Sequence, residues 1–367
     1  MELYWIIWGI VISISFLDLC KIDYRYKKFF MICILLICIL IGGFRAIGTD
    51  WEQYYTYFMD RNTLDEFSDT HYGLYYEVGF VYINYIIKCI TNEYFGMLLF
   101  LTAVVCFFKY KMITQISKGN LILVIFALNF SYYLGDFFPV RQSIAAAILI
   151  YSIIFIAEKD LFKFTIMVII ASFFHRSAII FFPAYWLYYS KISNKKAIII
   201  IIISFFIGYS ELLNKIISIF AGVDLAIIDK LIAYTDSGEV AIGAYVSGTL
   251  KVILSFSKKI VLFIIFALVR EKIRKKINYY DGFFNLFLIS FVLTLIFNFS
   301  APEVASRASI YYNFVEIFLV ANILIIFNKF KYKIFVWCII ILYCFIQYYY
   351  AIYKFYDIYV PYKSILG

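Results

Sequence analysis

The chain has 367 residues, of which 65% are hydrophobic and only 16% are charged. Soluble domains are roughly 45–50% apolar and about 25% charged, so this composition excludes a soluble protein. The net charge of +9 comes from short basic clusters between apolar runs, a pattern typical of cytoplasmic loops rather than of a nucleic-acid-binding surface. The sequence therefore predicts an all-α, polytopic transmembrane bundle.

The apolar runs predict about 12 spans. The first run, near residues 3–19, is followed by basic residues at 21–28, and because positive charge marks the cytoplasmic side, the N-terminus is predicted to lie outside. The other eleven predicted spans lie near residues 29–44, 94–108, 120–135, 140–157, 161–174, 178–190, 197–212, 246–269, 282–298, 307–327 and 334–352.

Three segments do not fit a simple alternation of spans and loops. Segment 78–90 and the span after it are both predicted to begin on the outer side, so segment 78–90 does not cross the membrane. It is therefore predicted to be re-entrant or to lie along the interface. Residues 45–77 form an outer loop, and residues 213–245 alternate like an amphipathic helix in the outer interface. We treat residues 1–367 as a single integral membrane domain, whose activity is built within and just above the bundle.

Arginine is rare in this chain and is concentrated on one predicted side. Five of the eight arginines fall at the outer face, against the positive-inside trend: Arg45, Arg61, Arg141, Arg176 and Arg307. The planar guanidinium binds phosphate through two parallel hydrogen bonds. Arg45, Arg141 and Arg307 each adjoin a span, which favours one shared anionic group, such as a lipid diphosphate. The alternative, pairing with nearby carboxylates or lipid headgroups, is stronger for Arg61 and Arg176.

Three ionisable groups near the same predicted face are candidate proton acceptors. Asp50 closes the second span, Glu77 opens the anomalous segment, and His175 interrupts a long apolar run. The seven cysteines form no CxxC pair and there are only two histidines, so neither a metal site nor a cofactor is predicted. Lys258 and Lys259 lie within a predicted span, and an intramembrane cation is a functional hypothesis by default.

These residues belong to motifs that share an order with a known family. The motifs are Gly43-Phe-Arg45-Ala-Ile-Gly48-Thr49-Asp50, Tyr54-Tyr55, Glu77-Val-Gly79-Phe80, Val140-Arg141-Gln142, Phe174-His175-Arg176-Ser177-Ala178, Ser306-Arg307-Ala-Ser-Ile-Tyr311 and Pro361-Tyr362-Lys363-Ser364. In order and spacing the chain resembles the EpsG family of Wzy-type polysaccharide polymerases. It departs from the family's pattern at Val78, Arg176 and Ala308, where proline, serine and an aromatic residue are common.

The resemblance implies a GT-C-like polymerase or ligase architecture in the bacterial cytoplasmic membrane, with the active site facing the periplasm or exterior. It also implies an inverting, metal-independent glycosyltransferase that joins undecaprenyl-diphosphate-linked repeat units into O-antigen, capsule or exopolysaccharide. A chain-length regulator and a flippase of the same pathway are the implied protein partners. No cofactor is implied.

The resemblance also allots roles to individual residues. Such a transfer needs a base for the acceptor hydroxyl and fixed cations for the departing diphosphate. The predicted diphosphate ligands are Arg45, Arg141 and Arg307; the candidate bases are Asp50, Glu77 and His175, with the last two slightly favoured; Gln142 and Tyr311 are predicted to orient the substrate.

Three other functions compete with the polymerase. A flippase or other transporter of lipid-linked oligosaccharides should have ionisable residues at mid-membrane and internal symmetry. Only Lys258 and Lys259 support the first expectation. A membrane acyltransferase needs a histidine reached from the cytoplasm, whereas His175 is predicted to lie outside. An O-antigen ligase-like transferase needs the same diphosphate site and base, so the sequence does not separate it from a polymerase.

Overall fold

The computed structural model describes residues 1–69, 76–132, 137–210 and 248–365, with backbone only for 248–255 and for residue 303. Within these ranges the chain is helical, and the single β-bridge pairs Arg45 with Ser364. This result confirms the prediction of a helical membrane protein. The count of about 12 spans and the GT-C-like architecture stay predictions.

The helices within the described ranges are numbered in chain order. In chain order they are α1 Glu2–Ser15, α2 Tyr24–Gly43, α3 Trp51–Met59, α4 Leu64–Ser68, α5 Val78–Ile90, α6 Tyr94–Ser117, α7 Ile122–Tyr132, α8 Arg141–Ala157, α9 Leu161–Ser172, α10 Ala184–Tyr188, α11 Asn194–Tyr209, α12 Gly248–Ile273, α13 Tyr280–Phe297, α14 Pro302–Asn313, α15 Val315–Asn322, α16 Phe330–Tyr353 and α17 Tyr356–Tyr359. Short 3-10 helices cover Phe16–Leu19, Arg176–Phe181 and Ile323–Ile326.

The chain divides into two compact units. The first unit comprises Met1–Phe182 and Phe327–Gly367, and the second comprises Pro183–Ile326. The single membrane domain over 1–367 stays a prediction.

Five described helical segments are long and apolar enough to cross a membrane. They are Glu2–Leu19, Tyr24–Gly43, Tyr94–Ser117, Tyr280–Phe297 and Phe330–Tyr353, and each contains or overlaps a predicted span. The third runs nine residues past the predicted end at 108. It stops where Lys118 and Gly119 take positive φ angles of 48° and 86°, which end an α-helix.

Two predicted spans are not single helices. The run 178–190 is divided into a 3-10 helix and α10 at Pro183, because proline lacks the N–H that a continuing helix needs. The run 307–327 is divided at Phe314, where the helical segments Val304–Asn313 and Val315–Ile326 meet at a bend of 50°. If this bent pair crosses the membrane as one element, the described chain has six candidate spans.

The anomalous segment 78–90 is helix α5. Its 13 residues extend about 20 Å, less than the roughly 30 Å hydrocarbon core of a bilayer. A helix of this length agrees with a re-entrant or interfacial segment, although its place in the membrane stays a prediction. The predicted outer loop 45–77 contains the short helices α3 and α4. The predicted interfacial segment 213–245 lies outside the described residues.

Helix α8 is the central element of the first unit. It packs against both α6 and α9, and its apolar side chains from Ile144 to Ile154 are buried on most faces of the helix. The first turn, Arg141 to Ser143, is half-buried and therefore partly open. That turn is where the predicted functional residues of α8 lie.

Candidate active site

A close backbone contact brings the start of α5 against the end of α9. The Gly79 N–H donates to the Phe173 carbonyl at 2.8 Å. A Cβ atom at Gly79 would lie only 2.7 Å from that carbonyl oxygen, so a larger residue would push the two helix ends apart. Since Glu77 immediately precedes α5 and His175 follows α9, the contact places two residues that are 98 positions apart side by side.

The Glu77 carboxylate is the centre of a small group of polar contacts. His175 Nδ1 lies 3.2 Å from Glu77 Oε1, and the Arg176 backbone N–H lies 3.4 Å from the same oxygen. Arg141 Nη1 forms an ion pair with Glu77 Oε2. The side chains of Glu77, His175 and Arg141 are 10%, 17% and 24% exposed. The carboxylate is therefore nearly buried, while its two partners still reach solvent.

The charge state of Glu77 follows from these contacts. Burial by itself would raise the pKa of the carboxyl, but the hydrogen bond with His175 and the charge of Arg141 outweigh burial and lower the pKa to about 2. Glu77 is therefore an ionised acceptor at neutral pH and a weak base. An ionised carboxylate accepts the Nδ1 proton of His175, which leaves Nε2 as the ring nitrogen that can take up a proton.

Arg141 is fixed by aromatic side chains as well as by Glu77. Its Nε donates to the Tyr54 hydroxyl at 3.2 Å, and its guanidinium carbon lies 4.6 Å from the centre of the Tyr76 ring and 5.8 Å from that of Phe80. Stacking of this kind holds a planar guanidinium in one orientation. We call Tyr54, Glu77, Arg141 and His175 the Glu77 cluster.

Arg45 lies in a different environment in the same unit. Its side chain is buried, with the residue 3% exposed. It donates to the carbonyls of Phe137 and Pro139 at 2.7 and 3.1 Å. Its backbone is held by the C-terminal tail, since the Ala46 N–H donates to the Lys363 carbonyl at 2.8 Å. Arg45 thus anchors the backbone that leads into Arg141, and we call these contacts the Arg45 anchor.

The remaining predicted site residues are not part of the Glu77 cluster. Asp50 is half-buried at the start of α3, where its carbonyl accepts the Tyr54 N–H at 3.1 Å. Gln142 is half-buried beside Arg141 on α8. Arg307 and Tyr311 lie on α14 in the second unit, half-buried and fully buried respectively. The convergence of Arg45, Arg141 and Arg307 on one anion stays a prediction.

The sequence hypothesis missed two features of the site. The sequence places Tyr54 only in a family motif, whereas the structure shows that its hydroxyl contacts Arg141. The sequence places Gly79 only within a motif, whereas the structure shows that it sets the distance between two helix ends. The position of Gly79 two residues after Glu77, at the start of an apolar helix, was the available signal for a close approach.

The fold and the cluster define a class: an integral membrane protein of many helices, with a carboxylate, an arginine and a histidine in contact where helices begin and end. Residues 2–364 match the family model described as the EpsG family. Because this match spans nearly the whole chain, the protein belongs to the EpsG family, which confirms the resemblance. No curated protein and no solved structure matches the sequence.

Proposed function

We propose that this protein is a polysaccharide polymerase of the bacterial cytoplasmic membrane, which joins undecaprenyl-diphosphate-linked repeat units at the outer face. Membership of the EpsG family supports a polymerase-type function. The observation that carries the proposal is the Glu77 cluster, because it combines a proton acceptor and a phosphate-binding side chain within one set of contacts.

The proposed reaction is a single displacement at the anomeric carbon of the growing chain. The hydroxyl oxygen of the new repeat unit bonds to that carbon as the carbon–oxygen bond to the lipid diphosphate breaks. The diphosphate leaves with the bonding electron pair, and the hydroxyl proton passes to the enzyme. Attack from the opposite side inverts the configuration, and the step needs no metal or cofactor.

Within the cluster, His175 is the proposed base and Glu77 its orienting partner. A carboxylate whose pKa is lowered to about 2 has little affinity for a proton at neutral pH, which disfavours Glu77 as the base. It instead holds the His175 ring through Nδ1 and stabilises the imidazolium that forms, as the carboxylate does in a serine-protease triad. Asp50 remains the second candidate base.

Arg141 is the proposed ligand of the departing diphosphate. Its guanidinium is charged, oriented by aromatic rings and 24% exposed, so a phosphate oxygen can approach it. Fixed donors at the site of developing negative charge stabilise the transition state. Arg307 is proposed as a further ligand of the diphosphate, and Gln142 and Tyr311 are proposed to orient the sugars.

The experiment that tests this function uses the purified chain in lipid nanodiscs with a lipid-linked repeat unit, read on a gel. A ladder of products supports the polymerase. A single shifted product identifies a ligase, and the absence of any new glycosidic bond points to the transporter. The matched control for Arg141→Ala is Arg25→Ala, since the Arg25 side chain is 92% exposed and should leave the ladder unchanged.

The proposed protein partners are a chain-length regulator and a flippase of the same pathway. If a regulator acts on this chain, its addition to the nanodisc assay should change the distribution of product lengths without changing the rate of bond formation.

A further inference from the structure

A second group of ionisable side chains lies in the second unit, among apolar helices. Lys259 on α12 is 6% exposed. Its ammonium nitrogen lies 3.0 Å from the Ser290 carbonyl, 2.8 Å from the Thr294 hydroxyl and 3.1 Å from Asn313 Oδ1, and it also contacts the Ser290 hydroxyl. Residues 290 and 294 belong to α13, and residue 313 ends α14.

The number of these contacts indicates what Lys259 does. An ammonium group has three N–H donors, and four oxygen acceptors surround this one. Every donor is therefore directed at protein, and none is left for a substrate phosphate. A buried lysine saturated in this way ties α12, α13 and α14 together.

The neighbouring lysine contacts the helix on the other side of the bend. Lys258 Nζ lies 3.3 Å from Glu316 Oε1, and the Glu316 side chain is 1% exposed. Asn313 is the last residue of α14 and Glu316 is in the first turn of α15. Two consecutive residues of α12 thus hold the two sides of the 50° bend.

The helix before the bend carries residues of the proposed site. Arg307 lies six positions before Asn313 on α14, a separation of about 9 Å along the helix axis. A change in the bend angle would therefore move Arg307 relative to α15.

We propose that Lys258 and Lys259 are positioning residues that fix the bend between α14 and α15 and so set the direction in which α14 presents Arg307. This inference rests on the proposed function only for its catalytic consequence. The bend itself can be measured without any reaction.

The catalytic test is a double-mutant cycle of Lys259→Met with Arg307→Ala. Lys259→Met alone should slow ladder formation about 10-fold to 100-fold, the scale of a misplaced catalytic group. The double variant should be no slower than Arg307→Ala, because Lys259 acts through Arg307. Multiplying effects, or a wild-type rate for Lys259→Met, would overturn the inference. Lys272→Met is the matched control, since Lys272 is an exposed lysine on the same helix.

A milder variant covers the case in which Lys259→Met does not fold. Thr294→Val removes one of the four acceptors at nearly constant volume, and it should give a smaller loss of rate that also vanishes in the Arg307→Ala background. Lys258→Arg keeps the contact with Glu316 and should restore most of the rate that Lys258→Met loses. Additive losses for Thr294→Val, or failure of Lys258→Arg to recover activity, would contradict the positioning role.

The structural test separates this inference from the proposed function. Spin labels at positions 306 and 326, in a chain whose seven cysteines are replaced, report the distance across the bend. Lys259→Met should shift or broaden that distance, and Lys272→Met should not. An unchanged distance refutes the inference even if the wild type makes ladders. A wild type that makes no ladder refutes the proposed function while leaving the distance result to decide the bend.

Discussion

Two arginines of the first unit, Arg45 and Arg141, share a residue type and a predicted role but have opposite surroundings. Arg45 is 3% exposed and is held by the carbonyls of Phe137 and Pro139. The side chain of Arg141 is 24% exposed and is held by the Glu77 carboxylate and the Tyr54 hydroxyl. Position at the end of a span therefore does not fix the role of an arginine, whereas the chemistry of its partners does.

The two guanidinium groups differ in whether a substrate can replace their hydrogen-bond partners. Backbone carbonyls next to α8 cannot move away without disturbing the fold, so the Arg45 anchor is permanent. A carboxylate and a phenol are side-chain partners, and a diphosphate can replace or share their hydrogen bonds with Arg141. We therefore expect substitutions at Arg45 to lower stability first, and substitutions in the Glu77 cluster to lower turnover first.

The largest expected effect is at His175, the proposed base beside Arg141. His175→Ala should reduce the initial rate of bond formation by about 10²–10⁴, the usual contribution of general acid–base catalysis, with little change in the thermal unfolding midpoint. The initial rate in nanodiscs measures this effect. A fall in the thermal midpoint large enough to account for the lost activity would instead show that His175, like Arg45, has a structural role.

The next largest effect is at Arg141. Arg141→Ala should lower the rate by about 10²–10³, as for the loss of a donor that stabilises developing charge, and Arg141→Lys should recover only part of it because lysine lacks the planar fork. Polymer amount and length at equal protein level are the measurement. Normal polymer from Arg141→Ala would show that the diphosphate binds elsewhere.

Substitution of Arg45 should lower stability more than turnover, the opposite of substitution of Arg141. Arg45→Met leaves two buried carbonyls without their donor, at a cost of about 2–6 kcal/mol of folding free energy. The thermal midpoint in detergent should fall clearly, while the protein that remains folded keeps turnover closer to wild type than Arg141→Ala does. An Arg45→Met chain of normal stability and no activity would place Arg45 on the substrate after all.

A smaller effect is expected at the helix contact that builds the cluster. Gly79→Ala puts a methyl group against the Phe173 carbonyl oxygen, and relieving such a clash costs about 1–3 kcal/mol. It should also separate Glu77 from His175 and so slow turnover. The matched control is Gly9→Ala on α1, because a Cβ there meets no atom within 4 Å. Equal behaviour of the two alanine variants would argue against the close approach.

The smallest effect is a pH dependence of stability that belongs to Glu77. Its pKa is lowered from 4.5 to about 2 in the folded protein, so its stabilising contribution is complete above the unfolded value and is lost as the pH falls through about 2. The difference in thermal midpoint between wild type and Glu77→Gln should therefore not shrink from pH 7 to 5, and it should shrink below about pH 4.5. A difference that shrinks already between pH 7 and 5 would contradict the ionised state assigned to Glu77.

Much of the fold was predictable because hydrophobic runs set membrane helices directly. The predicted spans near 3–19, 29–44, 94–108, 282–298 and 334–352 are all found as long apolar helices. The breaks were harder to predict. Pro183 divides one predicted span for a local reason. The bend near Phe314 instead lies between two residues that Lys258 and Lys259 contact from a helix distant in sequence.

The candidate site was predictable by residue but not by contact. The sequence singled out Glu77, Arg141 and His175 because an ionisable residue beside an apolar run is costly at membrane depth and therefore indicates a function. Their mutual contacts join residues 64 and 98 positions apart. The position of Gly79 signals a close approach, but one sequence does not show that Phe173 is the partner. For the same reason, nothing in the sequence distinguished the buried Arg45 from Arg141.

The most direct measurement of the central claim is chemical rescue of His175→Ala in the nanodisc assay with a lipid-linked repeat unit. If His175 is the base held by Glu77, the variant should form its ladder about 10²–10⁴ times more slowly than wild type. Added imidazole should restore part of that rate, whereas Arg141→Ala should not respond to imidazole. A His175→Ala chain that extends polymer at the wild-type rate without imidazole would contradict the account.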